Sequence, residues 1–466
     1  MKVTTIILAG LLVCPFAASA QFKDKKAAQE APKTKTDILI ESIEASAQPV
    51  VITLEQALEI ALSENVAVKV ADLEIKRTEY AKKGAYAALY PQIDLSASYQ
   101  RTIKKQKMYM AMGGAPMEIE VGMFNTINAG ASAVLPLVNA QLWKGLKISA
   151  IDVELAVEKA RSSRLEMVTQ VKNAYYGILF AKEALNVYEQ VYENAMENLK
   201  ETQIKFDAQK VSEFELVRAK TTVANSIPNV YNAESSVELA LWQLKAVLGV
   251  ELDMRLDVDG KLGDYSQQMF YDIHQHDSVS LDGNTTMRQL AYQMDQLAEN
   301  IKLQKFACIP SLAASFNFSY VSMANDVAFK QFPWSPYSTA ALSLNIPIFA
   351  GGKRHQAIRQ AKNQYQQVQL QVENTERQLR IAIRQNLNTM ETNMKSYYAA
   401  QEAVASAQKA YDIAEAAYKV GRSTLLDLND AQLALTQSQL AMQQAVYNFL
   451  NAKSQLEQTL GQDFVK

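Results

Sequence analysis

The sequence predicts a mainly α-helical protein in which each chain also contributes four β-strands to a transmembrane barrel. Three features lead there: an internal duplication, four stretches of about ten residues that alternate apolar with small polar side chains, and long runs without helix breakers behind them. No proline follows Pro347, and only Pro228 and Pro310 lie between Pro136 and Pro347. Such stretches favour long helices over a compact, many-stranded fold.

The N-terminus reads as an address. Lys2 supplies a positive start, Val3 to Phe16 is mostly apolar, and Ala18-Ser19-Ala20 is a small-residue cleavage pattern before Gln21. Residues 1–20 are therefore expected to be a secretory signal peptide. A membrane anchor is the alternative, but the run is short for a span of about 20 residues. Cys14 raises a lipoprotein reading, against which stands the bulky Val13 before it. Residues 21–50, with Lys23, Lys25, Lys26, Pro32 and Pro49, read as a flexible linker.

Residues 51–250 and 285–466 form the two repeats, joined by an equatorial linker region at 251–284. Tyr90-Pro91-Gln92-Ile93 resembles Ile309-Pro310-Ser311-Leu312, Leu135-Pro136-Leu137 resembles Ile346-Pro347-Ile348, and Phe206–Ala219 resembles Tyr418–Ala431 at a displacement of 212. Each half follows one plan: helix, strand, loop, strand, long helix, turn, long helix.

Alternation defines the strands. Ile93, Leu95, Ala97 and Tyr99 oppose Asp94, Ser96 and Ser98; Ile127, Ala129, Ala131 and Ala133 oppose Asn128, Gly130 and Ser132. In the second half Leu312, Ala314, Phe316 and Phe318 oppose Ser315, Asn317 and Ser319, and Ala340 through Ile348 in steps of two oppose Thr339, Ser343 and Asn345. One apolar and one small polar face is the pattern of a membrane barrel with lipid outside and water inside. Tyr90, Tyr99, Tyr320, Trp334 and Tyr337 are placed to sit at the interfaces. A soluble sandwich with one wet face also alternates, but four strands build neither a large sandwich nor a closed barrel, so closure requires several chains. Two chains would supply eight strands and three would supply twelve.

After the second strand a helix is expected from about Asn139 to Asp207, roughly 100 Å at 1.5 Å per residue. Leu165, Val168, Tyr175, Ile178, Leu185, Tyr188, Tyr192, Ala195 and Leu199 form its packing stripe. The second half repeats this from Gly351 to Lys419 and returns from Thr424 to Leu460. Each long helix with its returning partner makes an antiparallel hairpin. A barrel segment with a wet face, continued by such helices, is a duct.

Composition excludes other classes. The chain has 47 Lys+Arg against 49 Asp+Glu, a net charge of −2 that becomes −3 without Lys2. That balance gives no support for a nucleic-acid partner. Two cysteines exclude a disulfide-rich scaffold and a multi-Cys zinc site. No Ser-His-Asp or Cys-His arrangement is visible, so no enzyme and no cofactor are expected. Asp272, His274, His276 and Asp277 have spacing that suits a metal, set against a solvated polar loop. Met108, Met110, Met112, Met117 and Met123 lie in the first strand-to-strand loop, where thioethers suit soft metals or act as flexible apolar filler.

Two segments carry a family resemblance: Ile346-Pro347-Ile348-Phe349-Ala350-Gly351-Gly352-Lys353-Arg354, and Tyr418 to Gln432 with its Val420-Gly421-Arg422-Ser423-Thr424-Leu425 core. With the duplication and the leader, the chain from about Thr53 to Gly461 resembles the TolC family of outer membrane efflux proteins. The resemblance implies a homotrimer with a twelve-stranded barrel in outer membrane lipid, continued by a periplasmic α-helical tunnel. It also implies a periplasmic adaptor protein docked at the hairpin tips and an inner-membrane pump that supplies the energy. An exit duct of a type I protein secretion system is the alternative within transport. A non-conducting periplasmic coiled-coil tether is the alternative of another class.

Site residues follow from the same resemblance. An acidic pair lining the closed periplasmic entrance falls on Asp427 and Asp430, whose i, i+3 spacing shares one helix face. Their positions just after Gly421 also suit helix N-terminal charges. A gate latch maps to Tyr418 and Glu215, expected to share a hydrogen bond. The family's basic partner falls on Ser423, with Arg422 beside it as a substitute. The adaptor-docking tips comprise Gly421, Ser423 and Thr424 in the second half and Gln209 and Ser212 in the first. Gly421 ends its helix because glycine tolerates positive φ; its counterpart Gln209 departs from that pattern.

Overall fold

The computed structural model describes residues 50–112, 115–270, 280–326 and 333–462. The expected signal peptide, nearly all of the linker, and the His274/His276 cluster lie outside them. The chain divides into two units, one of Met1–Asn65, Gln170–Gln267 and Ser396–Tyr447, the other of Val66–Thr169, Gln268–Lys395 and Asn448–Lys466.

The second unit holds a four-stranded antiparallel sheet of β2 (Gln92–Arg101), β5 (Asn125–Val138), β7 (Ser311–Ala324) and β8 (Trp334–Asn345), in the order β2-β5-β7-β8. Its register puts the apolar positions in common rows. Ile93 pairs with Ala133, Ala133 with Phe316, and Phe316 with Ala340; Leu95 pairs with Ala131 and Ala131 with Phe318. The alternate rows are small and polar, such as Asp94, Ser132, Asn317 and Thr339. Since a strand's side chains alternate between faces, one register gives the sheet one apolar and one polar face. Gly130 is required in its row: a Cβ there would lie 2.7 Å from the Phe318 carbonyl oxygen.

Two expectations change. The last strand ends at Asn345, so Ile346 and Ile348 lie beyond it. Alternation continues there, but Asn345 pairs with Ser311, the first residue of β7, so no partner strand lies beside the residues that follow. The first strand-to-strand loop also contains a hairpin, β3 (Gln106–Met112) with β4 (Ala115–Val121), in which Met110 pairs with Met117.

Helices flank the sheet in sequence. They are α2 (Val66–Ala87), α3 (Ala140–Asp207), α5 (Thr285–Phe306) and α6 (Lys353–Lys419). Within the second unit, Arg161 on α3 donates to the carbonyls of Gly283 at 3.2 Å and Gly461 at 2.7 Å. Asn284 caps α5 through the Met287 N–H and donates to the Thr459 carbonyl at 2.6 Å. Arg161 and Asn284 thereby tie the start of α5 to the end of α7 (Leu425–Leu460).

Glu299 on α5 is buried among Lys144 and Lys147 of α3 and Lys302, at 3.0, 2.9 and 2.9 Å. Lys302 chiefly, against the opposing effect of burial, with Lys147 and Lys144 adding, holds its carboxyl at about 2 against an ordinary 4.5. A depressed carboxylate pKa stabilises the fold above the ordinary value and loses that contribution as pH falls through the folded one. Glu299→Gln should cost about 1–2 kcal/mol at pH 7, less than a fully buried pair because two of the lysines are half exposed. The thermal midpoints of variant and parent should converge as the pH approaches 2; a constant gap would contradict the assignment.

Among its described residues the first unit is helical apart from loops and a small parallel sheet, β1 (Val50–Ile52) with β6 (Leu256–Val258). The segment 251–284, read from sequence as linker, thus holds a strand, and a 3₁₀ helix at Leu262–Phe270 follows it. Tyr175 of α3 donates to the Asp259 carbonyl at 2.7 Å, and Lys182 to the Val258 carbonyl at 3.0 Å, fixing this sheet to the helix. Thr53 and Gln56 form a reciprocal cap on α1 (Leu54–Glu64). Of the stripe read from sequence, Leu165, Val168, Tyr175, Ile178 and Ala195 are buried. Among the described residues no helix is long and apolar enough to cross a membrane.

Candidate functional site

Within the first unit two turns join long helices: α3 to α4 (Glu213–Leu248), and α6 to α7. They have the same backbone. Gln209 has φ 60° and Gly421 φ 77°. In each turn the next residue donates back five positions along the chain, Lys210 to the Lys205 carbonyl and Arg422 to the Ala417 carbonyl, both at 2.8 Å. This is the left-handed helix terminus that glycine favours. The first turn reaches it with a side chain present, at a strain of about 1 kcal/mol.

The caps that follow also match, with a difference. Ser212 accepts the Glu215 N–H at 3.4 Å. Thr424 accepts the Asp427 N–H at 3.2 Å, and the Asp427 carboxylate accepts the Thr424 N–H at 2.9 Å, its hydroxyl at 2.7 Å and the Ser423 hydroxyl at 3.1 Å. The second tip therefore closes a reciprocal capping box. These bonds, the Thr424 hydroxyl first, hold the Asp427 carboxyl below its ordinary range. All three go to Oδ2, and the side chain stays exposed. Asp430, nearly one turn further on, is exposed as well. The helix-terminus role read for this pair is thus realised by Asp427.

Tyr418 sits in the tip's core with Ala219, Tyr411, Leu425, Leu428 and Leu435. Its hydroxyl meets Thr202 Oγ1 at 2.6 Å, in place of the expected bond to Glu215. Thr202 donates its own proton to the Asn198 carbonyl at 2.7 Å, so Tyr418 is the donor to Thr202. Lys205 donates to the Tyr418 carbonyl at 2.8 Å and lies 4.2 Å from the centre of its ring. That ammonium satisfies a helix C-terminal carbonyl and complements the dipole there. Burial raises the Tyr418 phenol, and Glu215 contributes by charge rather than by a bond. Arg422 is exposed.

Two amide contacts bind the second hairpin to the first: Asn429 to Thr222 at 3.3 Å, and Asn194 to Gln432 at 2.9 Å. Thr202 and Lys205 were not singled out from sequence. Their signal was the α3 stripe itself, since Thr202 follows Leu199 by three and Lys205 follows Thr202 by three.

The fold is that of known channels. The chain resembles the CmeC outer membrane channel of Campylobacter jejuni at 19% identity, over 88% of this chain and 85% of that one, with a TM-score of 0.69. It resembles the open state of the MtrE outer membrane channel of Neisseria gonorrhoeae at 18% identity, over 88% of each chain, with a TM-score of 0.69. The outer membrane protein VceC of Vibrio cholerae aligns at 16% identity over 88% of this chain and 96% of that one, at 0.67. No curated protein sequence matches significantly. The profile of the outer membrane efflux protein family matches residues 57–250 and 278–462, most of the described sequence, and the chain belongs to that family.

Proposed function

We propose that three copies of this chain close a twelve-stranded barrel in the outer membrane and form the passive exit duct of a tripartite efflux system. An efflux-family chain located there must bring substrate through the membrane. The observation that carries the reading is the β2-β5-β7-β8 sheet: one apolar face, one small polar face, and two edge strands, β2 and β8, that a neighbouring copy would pair. Energy comes from an inner-membrane pump, coupled through a periplasmic adaptor that docks on the tips around Gly421, Ser423 and Thr424 and around Gln209 and Ser212. Relatives that are channels rather than enzymes support a transport role without catalysis.

The gate reading places Asp427 and Asp430 at the periplasmic entrance, where threefold repetition would make rings of negative charge that attract cations and narrow the mouth. The latch is Tyr418 with Thr202 and Lys205, Glu215 acting at a distance. Purified protein in planar bilayers tests both. Asp427→Ala with Asp430→Ala should raise conductance and weaken block by multivalent cations. Unchanged single-channel behaviour would contradict the gate, and no current from either protein would favour the tether.

A further inference from the structure

The antiparallel order places the start of β2, the end of β5, the start of β7 and the end of β8 at one end of the sheet. The four segments that reach this end share a charge pattern. Residues 80–92, 139–151, 300–310 and 346–372 hold ten Lys or Arg and no Asp or Glu, in a chain with 47 basic and 49 acidic residues. All lie in the second unit. Each window is bounded by one acid, Glu79, Asp152, Glu299 or Glu373, of which Glu299 meets three of these lysines, and ten cations against four acids leave a positive excess of six.

Exposed aromatic and apolar groups are interleaved with the cations. Trp143 is 60% exposed, Tyr90 69% and Phe349 87%. Lys83 lies 5.4 Å from the Tyr80 ring centre. Helix rise sets the depths. Trp143 is about 5 Å and Lys147 about 10 Å along α3 from its first residue, while the headgroup layer of one leaflet is about 5–8 Å thick. Lys305 and Lys353 stand at the sheet-facing ends of α5 and α6, within that layer.

We propose that this collar binds the anionic headgroups of phospholipids in the periplasmic leaflet of the outer membrane, with Trp143 and Tyr90 seated among the acyl-chain glycerol ends. The proposal rests on the outer-membrane channel reading and adds a lipid specificity to it. Juxtamembrane lysines attract anionic lipid over a Debye length, and aromatic side chains favour the headgroup level. Occupied headgroups would neutralise the cations that crowd the barrel's end and hold it at a fixed depth.

The test uses the full protein with Trp242→Phe and Trp334→Phe, which leaves Trp143 as its one tryptophan. It is reconstituted with brominated phosphatidylglycerol or brominated phosphatidylcholine at equal mole fraction. The anionic probe should quench Trp143 about threefold more strongly at low salt. The ratio should fall to one in about 1 M NaCl and in the Lys83→Gln, Lys305→Gln, Lys353→Gln variant, and survive Lys→Arg exchange at the same sites. Equal quenching at low salt, no quenching by either lipid, or a ratio that ignores salt would overturn the proposal. So would a changed ion selectivity in the glutamine variant with an unchanged quenching ratio, which would place the collar on the water path. Conductance of the same vesicles separates the two readings: current with a ratio of one sinks the lipid site and leaves the channel standing.

Discussion

Gly421→Val should abolish most outward transport while leaving the assembled channel intact. The residue has φ 77°, and nothing lies within 4 Å of a Cβ built there. The effect is therefore strain rather than collision. A β-branched residue in the left-handed region is a true outlier, costing about 1–3 kcal/mol. The turn can shed that cost only by moving, which re-aims Val420, Arg422 and the Ser423–Thr424–Asp427 cap. Gln209 in the matching turn shows that an unbranched side chain is accepted at φ 60°. Gly421→Gln should therefore stay near parental transport, and Gln209→Gly should stabilise the first tip by up to about 1 kcal/mol. Dye accumulation in cells, read beside the amount of trimer in their membranes, measures these. Parental efflux by the valine variant at normal trimer level would remove the tips from the docking account.

Tyr418→Ala is expected to loosen the second tip by about 3–5 kcal/mol, the usual cost of emptying a buried aromatic site. It removes a ring that packs on Leu425 and Leu428 and the cation contact with Lys205. Tyr418→Phe keeps the packing and loses only the donation to Thr202, at about 1 kcal/mol. Amide exchange should rise across Tyr411–Leu435 in the alanine variant and slightly in the phenylalanine one. Resting conductance should rise in the same order, because the Tyr418–Thr202 contact joins α6 to α3. Equal conductance in the two variants would show that packing, and not opening, is all that Tyr418 controls.

Much of this was legible in the chain. The strands announced themselves because period-two alternation with small polar partners has one structural meaning once a buried or lipid-facing side exists. Ile346 and Ile348 keep the alternation, but Asn345 pairs with Ser311, the first residue of β7, so the ladder has no partner beyond it. The β3–β4 hairpin has a signal in the chain too, Gly113-Gly114 between two runs, but the methionines there mask its alternation. At the tips, the displacement of 212 located both turns and both caps. The Tyr418 partner was misplaced because Thr202 lies 216 residues away. A packing stripe gives the face of a helix, but which residue of the facing helix it meets depends on relative height, and no local pattern encodes that.

The account stands on edge strands of separate chains pairing across β2 and β8. Native mass measurement of gently extracted protein tests this most directly. It should give a single species of three chains, each of 51.8 kDa less any cleaved N-terminal segment. A monomer or a dimer that still conducts would contradict the closed twelve-stranded barrel.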